Sequence, residues 1–429
     1  MRQLPLPACG VASGGLVVDL FSGFGGVSLA IRDAIGRDPD VAINHWDTAV
    51  AVHAANHPKT RHLHGNVWHY APRDVVGKAP VWLLWASPSC VHFSKAKSGP
   101  LDRQAATKVR ALAWVVTRWA RDVRPSVCVV ENVGAFKDWG PLNNDGRPDP
   151  ARRGATFRKW VRTLEALGYV VEWRELRACD YGAPTSRTRL FIVARCDGLP
   201  IVWPSATHGP GSFRAAEECI DWSIPAPSIF ERTRPLSEAT NRRIARGLDK
   251  FVFGAGRNAY LIHVNNGERV GQAPRIYDID APLSTVVAGG IKHALVAVTL
   301  VKHYGGNGAG PGIDIRSPLD TITTQDHHAL VTASTVGNHR DDVRAFMERY
   351  GVTGTIAGHD VADIGMRLLV PRELARAHDF DDSLALERDV HGNPVSKTAQ
   401  TKLVGNSVPR RLASAVVAAQ LSSGARRAA

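Results

Sequence analysis

A cysteine among small polar residues follows directly after a short apolar segment. Cys90 lies in the stretch ASPSCVHFS (86–94), immediately after VWLLW (81–85). A cysteine in such a place can be a buried filler, a metal ligand or a nucleophile presented at the end of a strand. None of the six cysteines forms a C-x2-C pair, so no structural zinc site and no metal are expected. The residues that surround Cys90 in the fold must decide between the other two roles.

Acidic and basic residues stand next to two other apolar segments. Glu131 ends the apolar part of SVCVVENV (126–133), where a carboxyl group in a cleft can act as an acid or base with a raised pKa. A cap or a salt bridge is the alternative. Arg187 and Arg189 stand two apart at the start of an apolar segment, so an extended backbone would turn both to one face. They could hold one anion or polar ring edge, or form a structural ion pair.

Four short motifs have the composition of a nucleoside site. The glycines of DLFSGFGG (19–26) let the backbone approach a ligand, although the motif is neither GxGxxG nor a phosphate loop. Trp46, in NHWD, could face an adenine or pack in the core. Asn66, in GNV, could bind an adenine edge or serve a turn. GNSVP (405–409) offers backbone amides at a helix start, as an ordinary N-cap also would.

The order of apolar segments predicts the scaffold for these motifs. Strands alternate with helices through the first 195 residues, which indicates an α/β fold with a doubly wound, mostly parallel sheet. Ligands bind beyond the carboxyl ends of such strands, so the glycine turn, the Cys90 segment and Glu131 should share one cleft. The predicted strands are 16–21, 40–44, 81–86, 126–133, 169–178 and 189–195, and the predicted helices are 27–35, 48–56, 107–123 and 157–167.

Residues 196–365 have a different pattern, with short strand-like pieces among Gly, Pro and Asn. Residues 278–296 resemble residues 314–331, which predicts paired β-units in a second, smaller, β-rich domain. A helix is predicted at 236–251, with an apolar stripe on one side. Its basic residues either face solvent or contact phosphates; they are Arg242, Arg243, Arg246 and Lys250.

The overall charge favours a polyanionic partner. The formal net charge is +13, which suits nucleic acid, although a solvated arginine-rich surface is the alternative. No apolar run approaches the ~20 residues that a membrane span requires. The N-terminal apolar stretch is too short for a signal peptide. The expected location is therefore the cytoplasm, in a bacterium the cytosol or nucleoid.

Taken in order, the motifs resemble those of the cytosine-C5 DNA methyltransferases that use S-adenosylmethionine. The matching stretches are DLFSGFGG, NHWD, PSCVHFS, ENV, GAPTSRTR, LLVPRELARAHDF (368–380) and GNSVP. The resemblance implies a Rossmann-like catalytic domain at 1–195, a target recognition domain at 196–365 and a C-terminal segment at 366–429 that completes the catalytic domain. The implied reaction is methyl transfer to C5 of a flipped-out cytosine in a specific duplex DNA sequence, through a covalent Cys90 adduct.

The resemblance also implies a role for each motif. Cys90 is the nucleophile, Glu131 the acid of the base pocket, and Arg187 and Arg189 its two arginines. S-adenosylmethionine is the implied cofactor. Its implied contacts are Asp19, Phe21, Ser22, Gly23, Gly25, Trp46, Asn66, Asn406 and Ser407.

Four positions depart from the family's pattern. Ser89 separates Pro88 from the cysteine, and His45 stands where an acid usually binds the ribose. Asn66 replaces an aspartate and Thr185 a glutamine. None of these changes removes a group that the chemistry requires.

Two alternatives remain: an RNA cytosine-C5 methyltransferase, and a catalytically silent DNA-binding relative. A monomer bound to double-stranded DNA is expected, with a cognate restriction endonuclease as a further candidate partner and no membrane association.

Overall fold

The computed structural model describes residues 14–89, 93, 103–143, 146–254, 259–263, 276–278, 290–291, 293–299, 325–326, 328–335, 337–356, 358 and 360–425. Within the described residues, seven strands form one sheet in the order β3-β2-β1-β4-β5-β7-β6. Its strands are β1 (Leu16–Leu20), β2 (Val41–Asn44), β3 (Arg61–His64), β4 (Val81–Ala86), β5 (Val127–Asn132), β6 (Val170–Arg177) and β7 (Thr188–Arg195).

The sheet is mostly parallel, as the alternation of strands and helices predicts. The first five strands in the order run parallel, whereas β7 is antiparallel to both β5 and β6. The central strands β4 and β5 are buried at every position, which explains their unbroken apolar sequences. Because β7 is reversed, its amino end lies at the same edge as the carboxyl ends of β1, β4 and β5.

Helices cover both faces of this sheet. The α-helices are α1 (Gly26–Ile35), α2 (Asp47–Asn56), α3 (Pro72–Val76), α4 (Arg103–Ala111), α5 (Trp114–Asp122), α6 (Ala155–Ala166), α7 (Glu238–Gly247), α8 (Arg340–Tyr350), α9 (Pro371–Ala377), α10 (Lys397–Gly405) and α11 (Arg410–Ala425). One face packs against α1 and α11, through residues such as Ile31 and Leu412. The other packs against α5 and α6, through Trp119 and Trp160. The last helix therefore returns to the first sheet.

The predicted helix over 107–123 is wrong in one respect, because it breaks between α4 and α5. At the break, the Ala113 carbonyl accepts a hydrogen bond from Nε1 of Trp160, at 2.9 Å, and from the amide of Val116. A side chain from α6 thus takes part of the bonding that a continuous helix would supply. The edge strand β3 was not predicted, because RHLH has no apolar alternation.

A second group of strands forms between residues 259 and 368: β8 (Ala259–His263), β9 (Ile276–Asp278), β10 (Gly290–Ile291), β11 (His293–Thr299), β12 (Gln325–Asp326), β13 (His328–Ser334) and β14 (Asp363–Leu368). Among the described strands, five form a sheet in the order β11-β14-β13-β8-β9, and β10 pairs with β12. The predicted domain boundary at residue 365 falls inside β14.

The internal repeat forms paired β-units, as expected. Its two copies lie side by side in parallel, with Val296 opposite Val331 and Gly290 opposite Gln325. In the described part of the chain, no helix is both long and apolar enough to cross a lipid bilayer.

Candidate active site

Glu131 and Arg189 meet at the edge where β5 ends and β7 begins. The antiparallel pairing of these strands places Glu131 opposite Phe191, two residues beyond Arg189. Nε of Arg189 lies 3.1 Å from Oε1 of Glu131, and both residues are almost fully buried, with exposures of 6% and 7%. Because β7 is reversed, the acidic residue Glu131 and the basic residue Arg189 lie in contact although they are far apart in sequence.

The environment of Glu131 makes its carboxyl group harder to ionise than one on the surface. Burial raises the pKa of Glu131, and this effect exceeds the opposing influence of Arg189, Arg187 and a hydrogen bond with Ser87. A carboxyl group with a raised pKa can donate a hydrogen bond to a ring nitrogen, which an ordinary surface carboxylate cannot do.

Arg187 makes contacts of a different kind. Its side chain is buried, and Nη2 donates to the carbonyls of Gly405 and Ser407, each at 3.0 Å. Arg187 thus joins the start of β7 to the GNSVP turn, while Arg189 pairs with the acid. The positive charge of Arg187 still acts on Glu131, because it helps to lower the pKa of that carboxyl.

Cys90 lies outside the described residues, but a described residue on each side of it has a defined contact. Before it, the Pro88 carbonyl accepts a hydrogen bond from Nδ2 of Asn132 at 2.9 Å. After it, the Phe93 ring packs edge-on against Phe136 at 5.1 Å. Both anchors belong to β5 or the turn that follows it.

Asn132 is a functional residue that the sequence did not single out. Its Oδ1 also accepts from the Val133 amide at 2.9 Å, so the side chain is fixed at both ends. The only sequence signal is its position directly after Glu131 at the end of a buried strand. Asn132 thus holds the Pro88 carbonyl, two residues before Cys90.

The glycine turn has the backbone geometry that its sequence suggests. Gly23 and Gly25 have φ of 57° and 101°, and Phe21 between the strand and these glycines has φ of 62°. A Cβ atom on Gly23 would meet nothing within 4 Å, so the backbone there borders open space. Ser22, which is largely buried, donates its amide to the Ile43 carbonyl at 3.3 Å. A ligand could approach the Gly23 backbone closely.

Asp19 supports this turn from the interior. It is 1% exposed and accepts a hydrogen bond from Oγ of Ser28 at 2.8 Å. Burial raises the pKa of Asp19 to about 7, against the lowering effect of Ser28. Asp19, on β1, is thus bound to α1 through Ser28 in the interior of the protein.

Trp46 lies at the end of β2, where an adenine-facing ring is expected. Nζ of Lys402, on α10, lies 4.4 Å from the centre of the Trp46 ring. A cation over the ring stabilises its position through a cation–π interaction. Lys402 is a second residue that the sequence did not single out.

The other predicted cofactor residues differ in exposure. Asn66 is exposed, and its Oδ1 caps the next turn by accepting from the Trp68 amide at 3.1 Å. Asn406 is also exposed at the end of α10. Ser407 is largely buried, and its Oγ lies 2.9 Å from Nδ1 of His378 and donates to the Val404 carbonyl at 2.6 Å.

His45, which departs from the family's pattern, is two residues from a carboxylate, that of Asp47. His45 is exposed at the end of β2, and Asp47 forms an ion pair with His64, with 2.6 Å between Oδ1 and Nε2. Among the described carboxylates, Asp47 is the closest in sequence to position 45, where the family usually has an acid that binds the ribose. It is 84% exposed on its side chain.

Comparison with known proteins identifies the class. Residues 16–235 match the family model described as C-5 cytosine-specific DNA methylase, and the chain belongs to that family. The Type II methyltransferase M.SacI of Streptomyces achromogenes is 29% identical over 240 residues, which cover 52% of this chain and 58% of the relative. M.AgeI of Thalassovita gelatinovora is 30% identical over 200 residues, which cover 45% of this chain and 42% of the relative. The chain thus matches about half the length of these curated relatives.

Solved structures share the fold over nearly the whole chain. The S. pombe Dnmt2 methyltransferase superposes with a TM-score of 0.52 at 18% identity, over 95% of this chain and 98% of that one. The Entamoeba histolytica methyltransferase EhMeth superposes with a TM-score of 0.51 at 13% identity, over 94% and 96% of the two chains. This likeness confirms the Rossmann-like methyltransferase architecture.

Proposed function

We propose that the protein transfers a methyl group from S-adenosylmethionine to C5 of a cytosine in a specific duplex DNA sequence, through a transient bond between Cys90 and the base. The observation that carries this proposal is the buried Glu131–Arg189 pair at the end of β5, where Asn132 holds the Pro88 carbonyl, two residues before Cys90. Membership of the cytosine-specific family supports DNA as the substrate over RNA.

The chemistry explains why a cysteine is needed. C5 of cytosine is a poor nucleophile. Addition of the Cys90 thiolate to C6 moves electron density to C5, which can then take up an electrophilic methyl group. Loss of the C5 proton and elimination of Cys90 restore the aromatic ring. Cysteine suits both steps, because its thiolate attacks readily and leaves readily.

Glu131 and Arg189 are proposed to stabilise the charge that this addition creates. A protonated Glu131 would donate to N3 of the ring as negative charge develops there, and its other oxygen would accept from the N4 amino group. Arg189 would hold Glu131 in place and favour the anionic ring near O2. The same contacts would select cytosine, because thymine presents a carbonyl where cytosine has an amino group.

These contacts require that the base leave the duplex. N3 and N4 of cytosine are paired inside double-stranded DNA, so Glu131 can reach them only when the nucleotide is flipped out. The segment 94–104, of which residues 94–102 lie outside the described residues, is proposed as a lid over the flipped base.

The turn at residues 19–26 fits S-adenosylmethionine. The open space beside Gly23 admits a ligand, and the ring of Trp46 is held where it can stack on an adenine. Asn66 and Asn406 are exposed beside these elements and could bind polar atoms of the cofactor. When bound, S-adenosylmethionine supplies the methyl group from a positively charged sulfur.

Replacing Trp46 by alanine is expected to weaken cofactor binding. Loss of stacking should raise the Kd for S-adenosylmethionine by about tenfold, since aromatic stacking on a base contributes roughly 1–3 kcal/mol. Lys402→Met should have a smaller effect in the same direction, because it removes only the cation over the ring. Isothermal titration calorimetry measures both. An unchanged Kd in Trp46→Ala would show that the ring does not face the adenine.

Residues 196–365 are proposed as the target recognition domain, but the helix expected to contact phosphates needs a correction. Arg243 of α7 is 1% exposed and lies inside the protein, so it cannot contact DNA. Arg242 is exposed and lies 3.4 Å from Glu238 on the same helix. The sequence predicted that four basic side chains lie outside the apolar stripe, and this prediction is wrong for Arg243, which is buried.

A second group of arginines is exposed between β5 and α6. We call Arg147, Arg152, Arg153 and Arg158 the arginine rim; all four are exposed, and they precede or begin α6. This segment follows directly on the turn that anchors Phe93. Within the rim, Arg153 is paired with Asp138 at 2.6 Å. The rim is proposed to contact the DNA backbone beside the flipped base.

The double variant Arg152→Gln, Arg158→Gln is expected to bind DNA with a weaker salt dependence. Each lost phosphate contact should reduce the slope of log K against log salt by about 0.9. Arg73→Gln, Lys78→Gln is the matched control, because these exposed residues lie before the amino end of β4, at the opposite edge of the sheet. Fluorescence anisotropy over a salt series measures both. Equal slopes in wild type and in the rim variant would contradict phosphate contact.

The reaction itself is tested by bisulfite sequencing of DNA from cells that express the protein. We expect protected cytosines at one recurring sequence. Transfer of label to tRNA and not to DNA would favour the RNA alternative, and DNA binding without transfer would favour a silent relative. The curated Type II relatives support a restriction–modification setting, with a cognate endonuclease as the proposed partner.

A further inference from the structure

Two consecutive residues at the end of α2 contact backbone carbonyls of the glycine turn through their side chains. Asn56 is the last residue of α2, and its Nδ2 lies 3.3 Å from the Phe24 carbonyl and 3.1 Å from the Val52 carbonyl of its own helix. His57 follows, and its Nε2 lies 2.9 Å from the Gly25 carbonyl. Phe24 and Gly25 are the last two residues before α1. Two neighbouring peptide units of the turn are thus tied to one point of the fold.

His57 fits closely against the turn. Its side chain is fully buried, and Nδ1 lies 2.8 Å from Oδ1 of Asp38. A Cβ atom on Gly25 would lie 2.5 Å from Cδ2 of the ring, so only glycine fits above it. Rotation of the ring by half a turn would place carbon atoms against both oxygen acceptors. Only this orientation directs a ring nitrogen to both Asp38 and the Gly25 carbonyl.

Asn56 connects the turn to a distant part of the chain. Its Nδ2 lies 3.0 Å from the Ala385 carbonyl, and its Oδ1 accepts from the Ala385 amide at 2.7 Å. Ala385 lies between α9 and α10, in the C-terminal segment that also carries Lys402 and Asn406. One side chain thus couples the two parts of the chain that contribute the proposed cofactor residues.

We propose that Asn56 and His57 are positioning residues for the cofactor, which set its affinity by holding the Phe24 and Gly25 peptide units without touching it. Glycines with positive φ have many other conformations available, and a turn free to adopt them would lose entropy on binding. The two hydrogen bonds remove this cost in advance. The inference rests on the proposed function, because it takes the turn as the S-adenosylmethionine site.

The test compares apolar variants with variants that retain part of the bonding. His57→Leu and Asn56→Leu remove the donors to the turn. His57→Gln keeps an amide nitrogen that can reach the Gly25 carbonyl. Asn56→Asp keeps the acceptor for the Ala385 amide but loses the amide nitrogen that contacts the Phe24, Val52 and Ala385 carbonyls. Thr60→Val is the matched control: it removes a buried hydrogen bond of 2.8 Å to the Pro39 carbonyl, three residues beyond His57, and does not touch the turn.

Calorimetry on the full chain measures the Kd for S-adenosylmethionine, well below the melting temperature of each variant, and kcat is measured at saturating cofactor. We expect His57→Leu, Asn56→Leu and Asn56→Asp to raise Kd about tenfold, which corresponds to about 1.4 kcal/mol. Saturating cofactor should restore most of kcat. We expect His57→Gln to recover most of the affinity, and Thr60→Val to lower the melting temperature with no change in Kd.

The proposal is overturned if the folded variants bind the cofactor as tightly as wild type, or if Thr60→Val weakens binding equally. If neither leucine variant folds, Asn56→Asp and His57→Gln decide: the first must weaken binding more than the second, and equal affinities refute the proposal. Wild-type protein that binds no S-adenosylmethionine would instead contradict the proposed function.

Discussion

Cys90→Ser is expected to abolish methyl transfer while DNA binding persists. A serine hydroxyl is almost un-ionised at neutral pH and a poor leaving group, so both addition to C6 and elimination should fail. The loss should be on the order of 10⁴-fold or more, the scale seen when other covalent enzymes lose their nucleophile. Transfer of labelled methyl groups to duplex DNA measures the activity, and gel shift measures the binding.

Cys128→Ala is the matched control for this substitution. Cys128 lies inside β5, and burial raises the pKa of its thiol to about 12, so it cannot supply a thiolate near neutral pH. We expect this variant to keep its activity once folded. Near-normal turnover in Cys90→Ser would refute the role of Cys90.

Glu131→Gln is expected to lower kcat by at least about 100-fold, the lower range for a general acid. Glutamine can still donate a hydrogen bond to the base, but it has no ionisable proton that it could transfer. Binding of S-adenosylmethionine should not change, because Glu131 lies with Arg189 at the base pocket. Steady-state kinetics with both substrates separate these effects.

The pH dependence gives a second test of Glu131. Burial raises the pKa of this carboxyl, so the acid form persists to a higher pH than in a surface residue. Because the acid form is the one proposed to be active, wild-type kcat should fall as the pH rises through this pKa. The fall should be absent from the residual activity of Glu131→Gln. An identical alkaline limb in both proteins would assign it to another group.

Local sequence patterns predicted most of the catalytic domain, because its strands and helices bury residues at regular spacing. The unbroken apolar segments before Cys90 and at Glu131 form the central strands β4 and β5. Because these strands are parallel, their carboxyl ends lie at the same edge of the sheet. The reversal of β7 was not readable from sequence, since an apolar strand has the same pattern in either direction. Its amino end nevertheless brings Arg189 to Glu131.

Contacts between distant segments account for what the sequence did not predict. The helix over 107–123 breaks where Trp160 bonds to Ala113, and no feature of residues 107–123 reports that contact. Arg243 is buried although its charge suggested an exposed position. Asn56 acts on Phe24 and on Ala385, which lie far apart along the chain.

The central claim is that the sulfur of Cys90 bonds to the target ring, and trapping with 5-fluorocytosine tests it most directly. Fluorine at C5 cannot leave as a proton does, so the ring stays attached after methyl transfer. With S-adenosylmethionine and an oligonucleotide that contains the recognition sequence, we expect a denaturation-stable protein–DNA complex whose cross-link maps to Cys90. Absence of this complex from active wild-type protein, or its formation by Cys90→Ser, would contradict the account.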